Sequence, residues 1–179
     1  MTALPKDVIV REAAASDMPA AALIYRHYVL ESTASFELTP PDGSEMQGRF
    51  AAIRGAGLPY LIAAVGTEVV GYAYAGSYRA RPAYHLTVEN SVYLAQAWCG
   101  RGIGRALLDS LIERCEAGPW RQMIAVIGDT ANTASIALHR RCGFEPVGTL
   151  KSVGYKFGRW VDSVLMQRAL GPGDRSAPC

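Results

Sequence analysis

The chain has 179 residues, half of them apolar and 19% charged, with 18 basic against 16 acidic side chains for a net charge of +2. That length fits one domain with a real core, and that composition excludes a chain disordered over most of its length. The near balance of charge leaves no electrostatic footprint for nucleic acid or an anionic membrane surface, and no run of about 18 apolar residues is present to span a bilayer.

The first element in chain order is a short strand, Val8 to Arg11. Ser16-Asp17 then reads as a helix start whose acceptor side chain would serve free amides, followed by apolar Met18, Ala21, Ala22, Tyr25, Tyr28 and Val29 at helical spacing. After the turn signal Thr39-Pro40-Pro41-Asp42-Gly43, a second short helix is expected over Ser44 to Ile53. Two strands, Tyr60 to Val65 and Val69 to Tyr78, flank the hairpin turn Gly66-Thr67-Glu68, and a third runs from Leu86 to Leu94. Gly104 to Glu116 is an amphipathic helix, with Ile103, Leu107, Leu111 and Cys115 at fourfold spacing and Gly118-Pro119 at its end. A buried strand (Met123 to Ile127), a helix (Asn132 to Cys142) and two further strands (Glu145 to Ser152, Val161 to Arg168) complete the pattern. This order predicts an α+β domain over residues 1–170, with a mixed, largely antiparallel sheet flanked by helices and one crossover helix after Leu94. Residues 171–179 are expected to form a disordered tail.

Four cysteines (Cys99, Cys115, Cys142, Cys179) form no CxxC pair, so reduced intracellular thiols are expected. The three histidines, His27, His85 and His139, have no metal-ligand spacing, so no metal is expected. Lys6, Asp7, Arg11 and Glu12 interrupt any signal-peptide core, and a cytoplasmic location is the expectation.

Cys99-Gly100-Arg101-Gly102-Ile103-Gly104 lies between a strand and a helix. Glycines let a backbone curl so that its N–H groups face outward, and the following helix N-terminus adds its positive dipole end. Such a turn suits a pyrophosphate, with Arg101 and Arg105 able to add charge-assisted bonds. Arg105 or Leu107 falls where a Rossmann fingerprint needs Gly or Ala, and no Gly-Lys pair exists for a Walker A loop. A glycine-rich turn without ligand is the competing reading.

Gly102-x-Gly104 after Val92-Tyr93-Leu94 resembles the acetyl-CoA pyrophosphate loop of the GNAT N-acetyltransferase superfamily, whose pattern is Gln/Arg-x-x-Gly-x-Gly/Ala; Cys99 stands in its first place. The element order from Val8 to Leu170 is similar to that fold. Thr33 to Glu37, Tyr74 to Gly76, Tyr78 to Tyr84, Thr87 to Tyr93, Ala125 to Gly128 and Gly154 to Asp162 resemble its phosphinothricin acetyltransferase branch. That branch acetylates the amino group of glutamate-like compounds such as phosphinothricin and methionine sulfoximine. The resemblance implies direct transfer from acetyl-CoA, and a homodimer.

Alternation along the third internal strand puts Leu86, Val88, Asn90, Val92 and Leu94 on one face, and Thr87, Glu89, Ser91 and Tyr93 on the other. A carboxylate in a central strand is costly unless paired or functional, and acetyl transfer needs a base to free the amine. Glu89 also matches the family's proposed general base; an ion-paired structural glutamate is the alternative. In the helix from Asn132 to Cys142, Ala134, Leu138 and Cys142 make an apolar stripe, while Asn132, Ser135 and His139 share a polar face able to line a cofactor groove. The resemblance implies that Asn132 contacts the pantetheine arm, and His139 falls where many relatives carry a tyrosine that protonates the departing thiolate. His139 as base, or as a half-buried helix histidine, stays open. Arg79 and Arg81 suit bidentate binding of a carboxylate or phosphinate, with Tyr84 beside them and Phe36 as a pocket wall; a solvated basic loop and a core aromatic are the plainer readings. A thiolate of Cys99 taking the acetyl group is a rival mechanism.

The expected activity is transfer of acetyl from acetyl-CoA to a small acidic amine, the coenzyme lying along Val92 to Leu94 with its thioester oxygen held by backbone near Leu94. The alternatives are a different amine (a protein N-terminus or a polyamine) and a CoA-binding regulatory module without turnover.

Overall fold

The computed structural model describes residues 5–177. Its strands are β1 (Val8–Glu12), β2 (Tyr60–Val65), β3 (Glu68–Ser77), β4 (Thr87–Leu94), β5 (Gln122–Gly128), β6 (Glu145–Lys156) and β7 (Arg159–Ala169). Its helices are α1 (Met18–Glu31), α2 (Gly43–Gly55), α3 (Ile103–Glu116) and α4 (Thr133–Arg141). The strands form one sheet in the order β1-β2-β3-β4-β5-β7-β6. Only β4 and β5 run parallel, because α3 crosses over between them. The element order and mixed sheet are those expected from the sequence.

Each face of the sheet has its own core. One packs α3, through fully buried Ile103, Leu107, Leu108 and Leu111, against Ala73, Val88, Met123 and Ala125. The other packs α1, through Met18, Ala21 and Val29, against Tyr60, Ile62 and Tyr72. Burial on both faces explains why β2 reads as an unbroken apolar run.

Four local expectations are corrected. Asp17 does not cap α1: its carboxylate accepts both Arg11 guanidinium bonds at 2.7 Å and the Ala14 N–H at 2.8 Å, closing a 3-10 turn at Ala15–Asp17 before the helix. The β2–β3 turn is only Gly66-Thr67, since Glu68 already pairs with Val65. β6 runs on to Lys156, and its hairpin to β7 turns at Phe157-Gly158, both at positive φ. No alternation marks that strand, because almost every residue of β6 is exposed. Only part of the expected apolar stripe of α4 is covered: Leu138 packs on the α3 core and Cys142 is buried in it, but Ala134 is exposed, and the one buried residue within the helix is His139 of the polar face.

After β7 the chain turns at Gly171–Gly173, where Gly173 N–H bonds Leu170 O at 2.9 Å and Arg121 reaches Gly173 O at 3.4 Å. Residues 178 and 179 of the expected tail, including Cys179, lie outside the described residues.

Lys156 joins the β6–β7 hairpin to α1. Its ammonium is buried and donates to the carbonyls of Ser35 at 2.6 Å, Ser32 at 2.7 Å and Tyr28 at 3.4 Å. Burial lowers its pKa and the nearby Glu37 carboxylate opposes that, while the carbonyls of the last turn of α1 and the loop after it take its hydrogen bonds. Nearby, a side chain at Gly154 would strike the Phe36 ring, and one at Gly128 would strike the backbone of Thr33. The loop after α1 is thereby clamped between β5 and the hairpin. Lys156→Met leaves these carbonyls unpaired, and is expected to lower stability by about 2–3 kcal/mol in urea unfolding.

Candidate active site

β4 and β5 pair from Thr87↔Gln122 to Asn90↔Ala125, and no further. Tyr78 N–H bonds Thr87 O and Ala95 N–H bonds Val70 O, so odd-numbered residues of β4 turn their backbone groups to β3. Even-numbered residues turn theirs toward β5. Past Asn90 those of Val92 and Leu94 therefore face an opening between the strands. Tyr28 fills half of it: its hydroxyl donates to Leu94 O at 2.8 Å and accepts from Leu94 N–H at 3.2 Å. Backbone near Leu94 is thus not free to hold an oxyanion, and the N–H of Val92 is the one left for that task.

The opening leads into a cleft of about 1140 Å³. Of the residues expected at a cofactor, Val92, Tyr93, Leu94, Gly102, Gly104, Arg105, Asn132 and Ser135 line it, and so does His139. Gly100 and Gly102 sit at φ of 76° and 82°, a left-handed region in which other residues are strained, and Gly102 begins α3 without a side-chain cap. The first amides of α3 are left for a ligand. Arg101 and Ile103 do not line the cleft. The Arg101 guanidinium lies 4.8 Å over the Trp98 ring, and the Ile103 side chain is core.

At the far wall Asn132 caps α4, accepting from Ser135 N–H at 3.2 Å. Asp129 sets the turn into that helix from a positive φ of 73°. The Ala131 N–H and the Arg159 guanidinium hold its carboxyl below the usual range. One turn into α4, His139 Nδ1 lies 2.8 Å from Ser135 O. A carbonyl only accepts, so Nδ1 carries the proton. His139 Nε2 then accepts from Asn90 Nδ2 at 2.9 Å, and Phe144 packs edge-on against the ring at 5.0 Å. Burial pushes the pKa of His139 down, so the imidazole is neutral and both nitrogens are occupied. In this arrangement it holds no proton aimed at a thiolate.

Glu89 lies on the opposite face of β4, between Gly76 and Ile124. It is half-buried, and burial alone raises its pKa. No ion pair to it is formed among the described residues. Just beyond it the chain leaves β3 into the loop of Arg79, Arg81 and Tyr84. Arg79 lies 5.0 Å over Tyr78 and 5.5 Å over Tyr84, while Arg81 is exposed. Phe36, 38% exposed, packs on Gly154. Glu89, Arg79, Arg81, Tyr84 and Phe36 all lie outside the cleft lining. Cys99 is exposed at the cleft, bonded to Ala95 O at 3.8 Å. Three partners were missed from the sequence: Tyr28, Lys156 and Asn90. Only Asn90 carried a signal, as one amide on an otherwise apolar strand face.

The acetyltransferase (GNAT) family matches residues 23–144, and the chain belongs to that family. It is 56% identical to a phosphinothricin N-acetyltransferase of Alcaligenes faecalis over 94% of this chain and 86% of that one. It is 43% identical to an L-methionine sulfoximine/L-methionine sulfone acetyltransferase of Pseudomonas paraeruginosa, over 94% of this chain and 98% of that one. A GNAT superfamily phosphinothricin acetyltransferase from Sinorhizobium meliloti, solved in complex with AcCoA, superposes with a TM-score of 0.93 at 47% identity, covering 97% of this chain and 94% of that one.

The lowered pKa of His139 has a measurable consequence. Above the unfolded value, about 6.5, the histidine is neutral in both states and adds no pH dependence. Below it the unfolded chain binds a proton that the folded chain resists, so stability falls as pH drops. Nitrogen-15 NMR is expected to find the Nδ1–H tautomer persisting below pH 6.5, and His139→Gln to flatten this part of the stability curve.

Proposed function

We propose that this protein is an acetyl-CoA-dependent N-acetyltransferase for small acidic, amino-acid-like amines of the phosphinothricin and methionine sulfoximine type. The carrying observation is an unpaired, half-buried carboxylate, Glu89, on one face of β4, set against a cleft on the other whose mouth is a glycine turn with free helix amides. The relatives' names supply the chemistry that such an arrangement fits.

Bound in the cleft, acetyl-CoA supplies an acetyl group activated as a thioester. The amides from Gly102 to Arg105 hold its pyrophosphate, and the α4 face carrying Asn132 and Ser135 walls the arm. The Val92 N–H donates to the oxygen on which negative charge develops. Glu89 takes the proton from the substrate ammonium, directly or through a water; its raised pKa makes it a better base than an exposed glutamate. Arg79 and Arg81, at the Glu89 end of the strand, pair with the acid groups of the substrate, and Phe36 and Tyr84 flank it. His139 serves as a positioning group. Supply of the coenzyme puts the reaction in the cytoplasm; among the described residues no helix is long and apolar enough to cross a membrane.

We also propose that the working unit is a homodimer. Val147, Leu150, Val153, Tyr155 and Trp160 of the β6–β7 pair are each exposed by 48% or more. An apolar strand surface of that extent fits an interface between copies of this chain.

The test is thiol release from acetyl-CoA with methionine sulfoximine, phosphinothricin, glutamate and spermidine in parallel. Saturable turnover with the first two is expected; none with any of them overturns the substrate class. Glu89→Gln is expected to lower kcat roughly 10²- to 10⁴-fold while acetyl-CoA affinity stays unchanged. The acidic limb of kcat/KM is expected above the ordinary glutamate value of about 4.3 and to vanish in that variant. Arg79→Ala and Arg81→Ala are expected to raise KM for the acid substrates roughly tenfold with kcat little changed.

A further inference from the structure

Asn90 is 6% exposed, lines the cleft, and is the last residue of β4 to pair with β5. Its side chain is half satisfied. Nδ2 donates to His139 Nε2 at 2.9 Å, while Oδ1 is buried and has no hydrogen-bond partner among the described residues. An orphaned buried acceptor bears its full desolvation cost, and native structures seldom keep one without use. The amide cannot turn over to relieve it. The Ser135 carbonyl fixes the imidazole proton on Nδ1, so Nε2 of the neutral ring accepts and demands the amide nitrogen. Phe144 and the Asn132 cap hold the ring and its helix in place. Four steps along β4, about 13 Å of strand, separate Asn90 from Leu94 beside the glycine turn. A coenzyme whose pyrophosphate sits on that turn extends its thiol arm toward Asn90. That arm carries amide N–H groups and, in free CoA, an S–H.

We propose that Asn90 is a coenzyme-binding residue of the cleft, its Oδ1 accepting a hydrogen bond from an N–H or S–H of the thiol arm as the arm seats, with His139 as the positioning residue that holds the amide nitrogen and leaves the oxygen as the free group. This rests on the acetyl-CoA reading of the cleft. It gives His139 a role that needs no proton transfer.

Calorimetric titration of the full chain with CoA, acetyl-CoA and dethio-CoA (S–H replaced by H) tests it. Asn90→Leu removes the acceptor at similar volume, and is expected to weaken CoA binding roughly three- to tenfold. A loss confined to CoA assigns the donor to S–H; an equal loss with all three ligands assigns it to an amide of the arm. His139→Ala is expected to reproduce most of the loss and to add little on top of Asn90→Leu, whereas a merely structural effect would add in full. Asn90→Ala replaces the leucine variant if that one fails to fold. Wild-type affinity in the folded leucine or alanine variant overturns the proposal, and full additivity overturns the role of His139. A wild-type chain that binds none of the three ligands overturns the acetyl-CoA reading itself.

Discussion

Past Asn90 the fourth strand has lost its parallel neighbour but keeps its antiparallel one. The backbone of Val92 and Leu94 is left facing a gap in the middle of the sheet, where unpaired peptide groups are otherwise rare. The rest of the site answers that gap. Tyr28 reaches across from α1 to satisfy Leu94 from both sides, which leaves the opening beside Val92. The glycine turn at the mouth and α4 along the wall then enclose a volume large enough for an extended ligand.

The two-residue period of a strand divides the labour. Glu89 and Asn90 are neighbours in sequence and stand on opposite faces of the sheet. Glu89 faces the side carrying α1 and α2, with no ion-pair partner among the described residues and a pKa raised by burial. Asn90 faces the side carrying α3 and α4, and is gripped by His139. An acceptor amine and an acyl donor approaching from opposite sides would meet at this one point of the strand. The two groups have little need to share a pocket, which accounts for Glu89 and the arginine loop standing outside the cleft.

Lys156 extends the same logic to the periphery. A charge buried without a carboxylate partner is expensive, yet here three carbonyls at the end of α1 receive it. The contact ties the exposed β6–β7 hairpin to the loop that bears Phe36. The geometry of the Phe36 loop therefore depends on a residue far from it in sequence.

Much of this was legible in the sequence. Periodicity and turn residues settled the order of elements, and fourfold apolar spacing marked the buried side of α3. The spacing of Gly100, Gly102 and Gly104 marked the tight turn into α3, and Glu89 was legible as a carboxylate within a central strand. These signals are local, carried by neighbours within a turn or a strand. The tertiary structure alone decided where β4 and β5 part, that Tyr28 caps Leu94, that Lys156 is buried, and that His139 is neutral with Asn90 as its partner. Each of those joins groups remote in the chain, such as Asn90 and His139 or Tyr28 and Lys156. The hydrogen-bonding state of an imidazole or an ammonium is set by what folding brings against it, and no spacing along one segment carries that information.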